Sequence, residues 1–193
     1  LLARRLQGRL DGIVGAVSFG DGASSTGSFH EGINLAAVER LPLVVVLTNN
    51  QFAYSTPTDR QFRCRSLVDC AIGYGIPGYE VDGTDLLASL DVISKAVTEA
   101  RQGGGPQLVV ANLLRLSGHG EHDDASYVPD EIRNSALGRD CMEVAEHQLL
   151  QAGFVTEAEL ESWKNEAAEQ VQAAVAQAQQ EPSPDPYTDD WSV

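Results

Sequence analysis

Basic residues are scarce. Thirteen Lys and Arg stand against 28 Asp and Glu, a formal net charge of −15 in 193 residues. A chain this acidic has no electrostatic footprint for nucleic acid and no attraction to anionic lipid. Cysteine is scarce too. Cys64, Cys70 and Cys141 form an odd set without metal-ligand spacing, which argues against a disulfide framework and for a reducing compartment. Long apolar runs are lacking: the longest, residues 41–47, is far too short to span a membrane. No secretory leader is visible. An initiator Met is also missing, and the chain begins Leu1-Leu2 inside a helix-like stretch. The expectation is a fragment without its N-terminal part.

What is present is ordinary globular composition, 42% hydrophobic and 21% charged, in a length suited to one α/β domain with a real core. The acidity is uneven. Residues 141–193 carry 11 acidic side chains and one basic, Lys164. A solvated helix face and tail explain this better than a docking surface does.

Strand-like and helix-like segments alternate over residues 1–114. Residues 13–19, 43–47, 79–81 and 107–114 read as strands, the second and fourth as continuous apolar runs of the fully buried kind. Residues 24–40 carry Phe29, Ile33, Ala36 and Ala37 at helical spacing. Residues 66–73 form a short helix candidate, and Thr84 can cap a helix over 85–101. This order implies an α/β fold: a parallel sheet with helices on both faces, followed by C-terminal helices. Residues 115–130 show no periodicity and read as a long polar loop of the functional kind. Helices are expected over 139–151 and, behind the capping box at Thr156 and Glu159, to about residue 180. The expected organisation is a cofactor-binding α/β domain over 1–130, a helical segment over 131–180 and an extended tail over 181–193.

The chemistry lies in Gly20-Asp21-Gly22, followed after 26 residues by Asn49-Asn50. A helix over 24–40 climbs about 25 Å, and a strand over 43–48 returns about 20 Å. Both motifs therefore fall at the carboxyl edge of the sheet, where open α/β sheets bind ligands. The Asp21 carboxylate, the Asn50 amide oxygen and a backbone carbonyl just beyond are hard donors suited to Mg²⁺, with a phosphate completing the shell. The glycines let the backbone approach a diphosphate, and a helix starting near Ser24 would offer it N–H groups. A lone Gly-Asp-Gly is often a mere turn. With the Asn pair at this spacing it is the thiamine-diphosphate signature.

The sequence resembles more than that cofactor class. Gly20-Asp21-Gly22-Ala23, Gly27, Glu31, Asn34, Ala36-Ala37, Leu41-Pro42 and Asn49-Asn50 are similar to the alpha subunits of the 2-oxo acid dehydrogenases. Ser55-Thr56-Pro57-Thr58, Gly75-Ile76-Pro77-Gly78, Val81-Asp82-Gly83 and the His119 loop extend the match over nearly the whole chain. The resemblance implies the thiamine-diphosphate-binding fold and Mg²⁺ held by Asp21, Asn50 and the main-chain carbonyl of Phe52, so that Phe52→Ala should affect cofactor binding little. It implies that Gly22 and Ala23 approach the diphosphate through their backbones and that His119 serves cofactor binding and acyl transfer. The implied reaction is oxidative decarboxylation of a 2-oxo acid, pyruvate or branched-chain, with reductive acylation of a lipoyl group. The implied partners are a beta subunit, in an alpha₂beta₂ assembly, and a lipoyl-bearing acyltransferase. The implied place is the cytoplasm or mitochondrial matrix. Acetoin-cleaving and transketolase-like enzymes, and a non-catalytic assembly subunit, stand as alternatives.

Departures from the family pattern are specific. The family's N-terminal contacts to the cofactor are missing. Only one His, His119, occupies a family position in its loop, and Gly120 stands where the mammalian enzymes carry a regulatory Ser. A metal site from His119 and His122 lacks a third ligand of the right kind. Asp123 and Asp124 read as ordering the loop rather than reacting. Glu31 sits about two helical turns from the Gly-Asp-Gly end and reads as a packing or subunit-contact residue, because in the family the glutamate that activates the aminopyrimidine comes from the beta subunit. Cysteines and Trp163 have structural readings only.

Overall fold

The computed structural model describes residues 1–185, 187 and 188. Two compact units divide the chain, residues 1–148 and residues 149–193; residues 131–148 thus lie in the first. That unit opens with helix α1 (Leu2–Leu6) and strand β1 (Gly15–Gly20). Helix α2 (Gly27–Val38) leads to β2 (Leu43–Asn49), a short hairpin of β3 (Phe52–Ala53) and β4 (Thr56–Pro57), and helix α3 (Cys70–Tyr74). Then come β5 (Gly78–Asp82), α4 (Leu86–Glu99), β6 (Gln107–Asn112), α5 (Asp130–Arg133) and α6 (Cys141–Gln151), whose last three residues fall past the division at 148.

The four-stranded sheet has the order β1-β2-β6-β5 and every pairing is parallel. The apolar runs explain its depth. Alternate residues of a strand point to opposite faces, and here both faces are covered. Val45, Leu47, Leu108 and Val110 join Phe29 and Ile33 of α2 and Ala71 of α3 in one core cluster. Val44 and Val109 join Ala96 and Ala100 on the other face. Leu108, Val109 and Val110 are wholly excluded from solvent, as a central parallel strand should be.

Local chemistry moves several expected boundaries. The helix expected over 24–40 is broken at Thr26, whose extended backbone and side-chain bond from the Phe29 N–H start α2 at Gly27. Before it lies a tight 3-10 turn, Gly22–Ser25. The amides of Ser24 and Thr26 are spent there on the carbonyls of Asp21 and Ala23, so the anion-facing helix start expected near Ser24 is not formed there. The helix over 66–73 becomes a 3-10 turn, Leu67–Asp69, boxed by Ser66 and Asp69, before α3; Gly75, at φ 64°, stops it. Asp85, not Thr84, caps α4 by accepting from the Ala88 N–H. Thr84 is buried instead, where its hydroxyl donates to Asp82 and accepts from Arg139. The β3–β4 hairpin is not foreseen from the sequence, because two-residue strands leave no periodicity to read.

The second unit contains α7 (Glu157–Gln180), which opens on the expected capping box between Thr156 and Glu159. Of the tail expected over 181–193, residues 186 and 189–193 lie outside the described residues. Among the described residues no helix is long and apolar enough to cross a membrane.

Candidate functional site

The first event at the sheet's carboxyl edge is a shared acceptor. Gly20 pairs with Thr48 in register, and the N–H groups of both Asp21 and Asn50 donate to the Thr48 carbonyl, each at 3.1 Å. The two motifs, 26 residues apart in sequence, are thereby fixed side by side.

A turn then brings Phe52 back. Gln51 holds a left-handed backbone, φ 75°, uncommon for a side chain that is not Gly or Asn. Its amide group anchors the turn by donating to the carbonyls of Asn49 and Leu113. The Asn50 side-chain oxygen accepts from the Phe52 N–H at 3.2 Å. The result is a cleft of about 420 Å³ lined by Asp21, Gly22, Ala23, Asn50, Phe52 and His119 together with Tyr54 and Arg115. All six residues singled out from the sequence meet there.

Each wall is held by identifiable bonds. Asp21 is 1% exposed, and its Oδ2 accepts from the Gln61 side-chain amide at 2.6 Å. The other end of that amide, Gln61 Oε1, is buried without a hydrogen-bond partner. Gly22 lies so close to the β3–β4 hairpin that a Cβ there would meet the Ala53 Cβ at 2.7 Å. Arg115, the third residue after β6, spans the cleft. Its guanidinium donates to the carbonyls of Phe52 at 3.4 Å and Tyr54 at 3.1 Å and to the Tyr127 hydroxyl. Its Nη1 also lies 3.5 Å from His119 Nδ1.

The loop behind His119 is ordered by one carboxylate. Asp123 accepts from the His119 N–H, the Tyr127 hydroxyl and the Ala125 N–H at 2.7–2.9 Å, and Arg115 lies 3.8 Å away. The His119 N–H first, then the Tyr127 hydroxyl, the Ala125 N–H and the Arg115 charge hold its carboxyl down at about 2. Asp124 caps the next turn by accepting from the Ser126 N–H. His119 packs edge-on against Tyr54, ring centres 5.3 Å apart. His122 also packs against Tyr54, at 6.5 Å, and does not line the cleft.

Phe52 has a packing part besides its carbonyl: the side chain is 4% exposed and forms a core cluster with Leu114, Ala125 and Val128 under the loop. A residue cited for its carbonyl still has a side chain to bury, and this one seats the loop that carries His119. Sequence reasoning also missed Gln61, Tyr54 and the spanning role of Arg115. Arg115 had a detectable signal, a cation just beyond a buried strand at the edge where the motifs converge. Gln61 had none, because its contact depends on the hairpin.

The residues present fit a divalent cation with a phosphate group. The donors are a buried carboxylate, an amide oxygen and a main-chain carbonyl, a hard set of the kind Mg²⁺ prefers. The close Gly22–Ala53 approach leaves room only for backbone on that side, and Arg115 adds a fixed positive charge.

Fold and site together define an α/β domain with an oxygen-rich cleft at the sheet's carboxyl edge, where such folds take their ligands. The chain belongs to the dehydrogenase E1 component family, whose model matches residues 2–187. It is 39% identical over 186 residues to the alpha subunit of acetoin:2,6-dichlorophenolindophenol oxidoreductase from Cupriavidus necator, covering 96% of this chain and 55% of that one. It is 36% identical over 185 residues to the 2-oxoisovalerate dehydrogenase subunit alpha of Bacillus subtilis, covering 94% and 55%. It is 33% identical over 180 residues to the pyruvate dehydrogenase E1 component subunit alpha of Rhizobium meliloti, covering 91% and 52%. The chain thus spans about half the length of the curated relatives it matches.

Proposed function

We propose that this chain forms the diphosphate- and metal-binding side of the active site in the alpha subunit of a thiamine-diphosphate-dependent 2-oxo acid dehydrogenase. The observation that carries the reading is the convergence of Asp21, Asn50 and Phe52 with Gly22, Ala23 and His119 on one cleft. Asp21, Asn50 and the Phe52 carbonyl would hold Mg²⁺, and the Gly22–Ala23 backbone would meet the diphosphate. Bound thiamine diphosphate supplies the electron sink for loss of CO₂ from the 2-oxo acid. The chain's own residues bind, orient and move a proton.

His119 is the proton-moving group. Arg115 has donors only, so the contact at 3.5 Å makes His119 Nδ1 the acceptor. That leaves Nε2 as the ring nitrogen for proton transfer during acyl transfer to a lipoyl carrier. Among the described residues Asp21 is the only carboxylate that lines the cleft. In this reading the group that activates the aminopyrimidine is supplied by a beta partner, in an alpha₂beta₂ assembly. The unpaired outer side of β1, an edge strand of the described sheet, supports a chain that is completed by further structure.

The test is to assemble the full-length protein with a beta subunit and a lipoyl-bearing acyltransferase. Decarboxylation and lipoyl acylation are then measured with pyruvate and with branched-chain 2-oxo acids. Turnover of either class supports the reading. Similarity to the Cupriavidus necator acetoin oxidoreductase subunit favours a second reading, cleavage of acetoin, which is the outcome if acetoin alone is consumed. No turnover of any of the three would leave an assembly subunit and overturn the catalytic reading.

A further inference from the structure

Asp21 is 1% exposed, and a carboxylate so buried must be given hydrogen bonds or counter-charge. Gln61 supplies the hydrogen bond from 40 residues away. It follows a 3-10 turn, Thr58–Arg60, beyond the β3–β4 hairpin. Its N–H donates to the Thr58 carbonyl at 3.1 Å, and its own carbonyl accepts from the Ser25 hydroxyl at 3.2 Å. The Gln61 backbone is thus tied to the turn that follows Asp21. Its side-chain Nε2 donates to Asp21 Oδ2 at 2.6 Å and to the Thr56 carbonyl at 2.9 Å. A reversed amide would set oxygen against both of these oxygens, so the orientation is fixed. Its Oε1 is left buried without a partner, an unfavourable state. Gln61 is therefore held by its two donors. Among the described residues no hydrogen bond engages the other oxygen of Asp21, Oδ1.

We propose that Gln61 is a positioning residue that makes Asp21 a one-oxygen ligand and so sets the preference of the cleft for Mg²⁺ over Ca²⁺. The inference rests on the reading of the cleft given above and adds to it the choice of metal.

The two cations ask different things of a carboxylate. Mg²⁺ demands a near-octahedral shell at about 2.0–2.1 Å, in which one carboxylate oxygen fills one corner. Ca²⁺ takes about 6–8 oxygens at about 2.3–2.6 Å and readily accepts both oxygens of one carboxylate. Of the three donors assigned to the cation, the Asn50 amide and the Phe52 carbonyl have one oxygen each to offer. Only Asp21 has a second. With Oδ2 committed to Gln61, the two-oxygen mode that suits Ca²⁺ requires breaking that bond and leaves a buried Nε2 hydrogen unpaired. The one-oxygen mode that suits Mg²⁺ leaves every bond of Gln61 in place.

The experiment titrates Mg²⁺ and, separately, Ca²⁺ into the full-length, partner-assembled protein in excess thiamine diphosphate, followed by calorimetry. Wild type, Gln61→Met, Gln61→Asn and Asp21→Ala are compared. Met keeps the length of Gln and loses its donors; Asn keeps an amide but is one methylene too short to hold both bonds. The hydrogen-bond partner of a metal ligand typically contributes about 10–100-fold in metal affinity. Both Gln61 variants should weaken Mg²⁺ at least about tenfold and Ca²⁺ by less than about threefold, so the affinity ratio moves toward Ca²⁺. Thermal unfolding without cofactor tells which variants are folded. The wild type tests the idea without any variant, since it should bind Mg²⁺ more tightly than Ca²⁺. Equal weakening of the two metals would make Gln61 a structural support and overturn the proposal. So would an unchanged ratio, or a wild type that binds Ca²⁺ as tightly as Mg²⁺. Loss of both metals in Asp21→Ala, with the ratio unchanged in the Gln61 variants, sinks this inference alone. Full affinity in Asp21→Ala removes the reading of the cleft and this inference together.

Discussion

Gly22→Ala is the sharpest perturbation of the cleft, because the structure says what the new methyl would meet. Its Cβ would lie 2.7 Å from the Ala53 Cβ, at least about 0.7 Å short of the 3.4 Å at which ordinary contact begins. The Ala53 Cα, at 3.5 Å, stands just behind, so the hairpin backbone must move rather than a side chain. Overpacking of this kind costs about 1–3 kcal/mol, or about 2–4 °C in Tm per kcal/mol in a chain of this size. The hairpin carries the Phe52 carbonyl, so binding of Mg²⁺ with thiamine diphosphate should weaken along with stability. Ala53→Gly removes the opposing methyl. The double variant should recover most of the loss, although Gly in a strand itself costs about 0.5–1 kcal/mol. Thermal unfolding and calorimetric titration of the four proteins in the cycle measure the coupling. A Gly22→Ala protein with unchanged Tm and affinity, or a double variant no better than the single, would refute the reasoning.

Phe52→Ala should lower stability by about 3–5 kcal/mol in chemical unfolding, whereas Phe52→Leu, which keeps the carbonyl and most of the apolar volume, should retain cofactor affinity. Asp123 is held at about 2, below the unfolded value of about 3.9. Its contribution to loop order is therefore complete above about pH 4 and is lost as pH falls through about 2. Amide exchange at His119, corrected for its intrinsic rate, should accelerate over that window in the wild type and already be fast at neutral pH in Asp123→Ala. His119→Ala should reduce lipoyl acylation by about 10²–10⁴-fold and decarboxylation with an artificial electron acceptor by much less. His122→Ala, outside the cleft, should be milder in both assays.

Much of this was legible in the sequence because the signals were strong where the constraints are strong. The apolar runs over 43–47 and 107–114 could only be central strands, and the register that brings Asp21 beside Asn50 follows from the helix and strand lengths between them. What stayed hidden depends on contacts between distant segments. Thr26 breaks a helix whose apolar spacing reads as continuous, because its side chain competes for the Phe29 N–H. Thr84 looks like a cap and is instead buried against Asp82 and Arg139, which lies 55 residues away. Gln61 reaches Asp21 across 40 residues through a hairpin of two-residue strands.

The central claim is that Asp21 is the charged ligand of a metal–diphosphate site. The direct measurement is calorimetric titration of Mg²⁺ with thiamine diphosphate into the full-length, partner-assembled protein, wild type against Asp21→Ala. Removing the one carboxylate that lines the cleft among the described residues should weaken binding at least tenfold, about 1.4 kcal/mol, while thermal unfolding without cofactor confirms that the variant is folded. Equal affinity in the two folded proteins would contradict the ligand assignment and the reading of the cleft built on it.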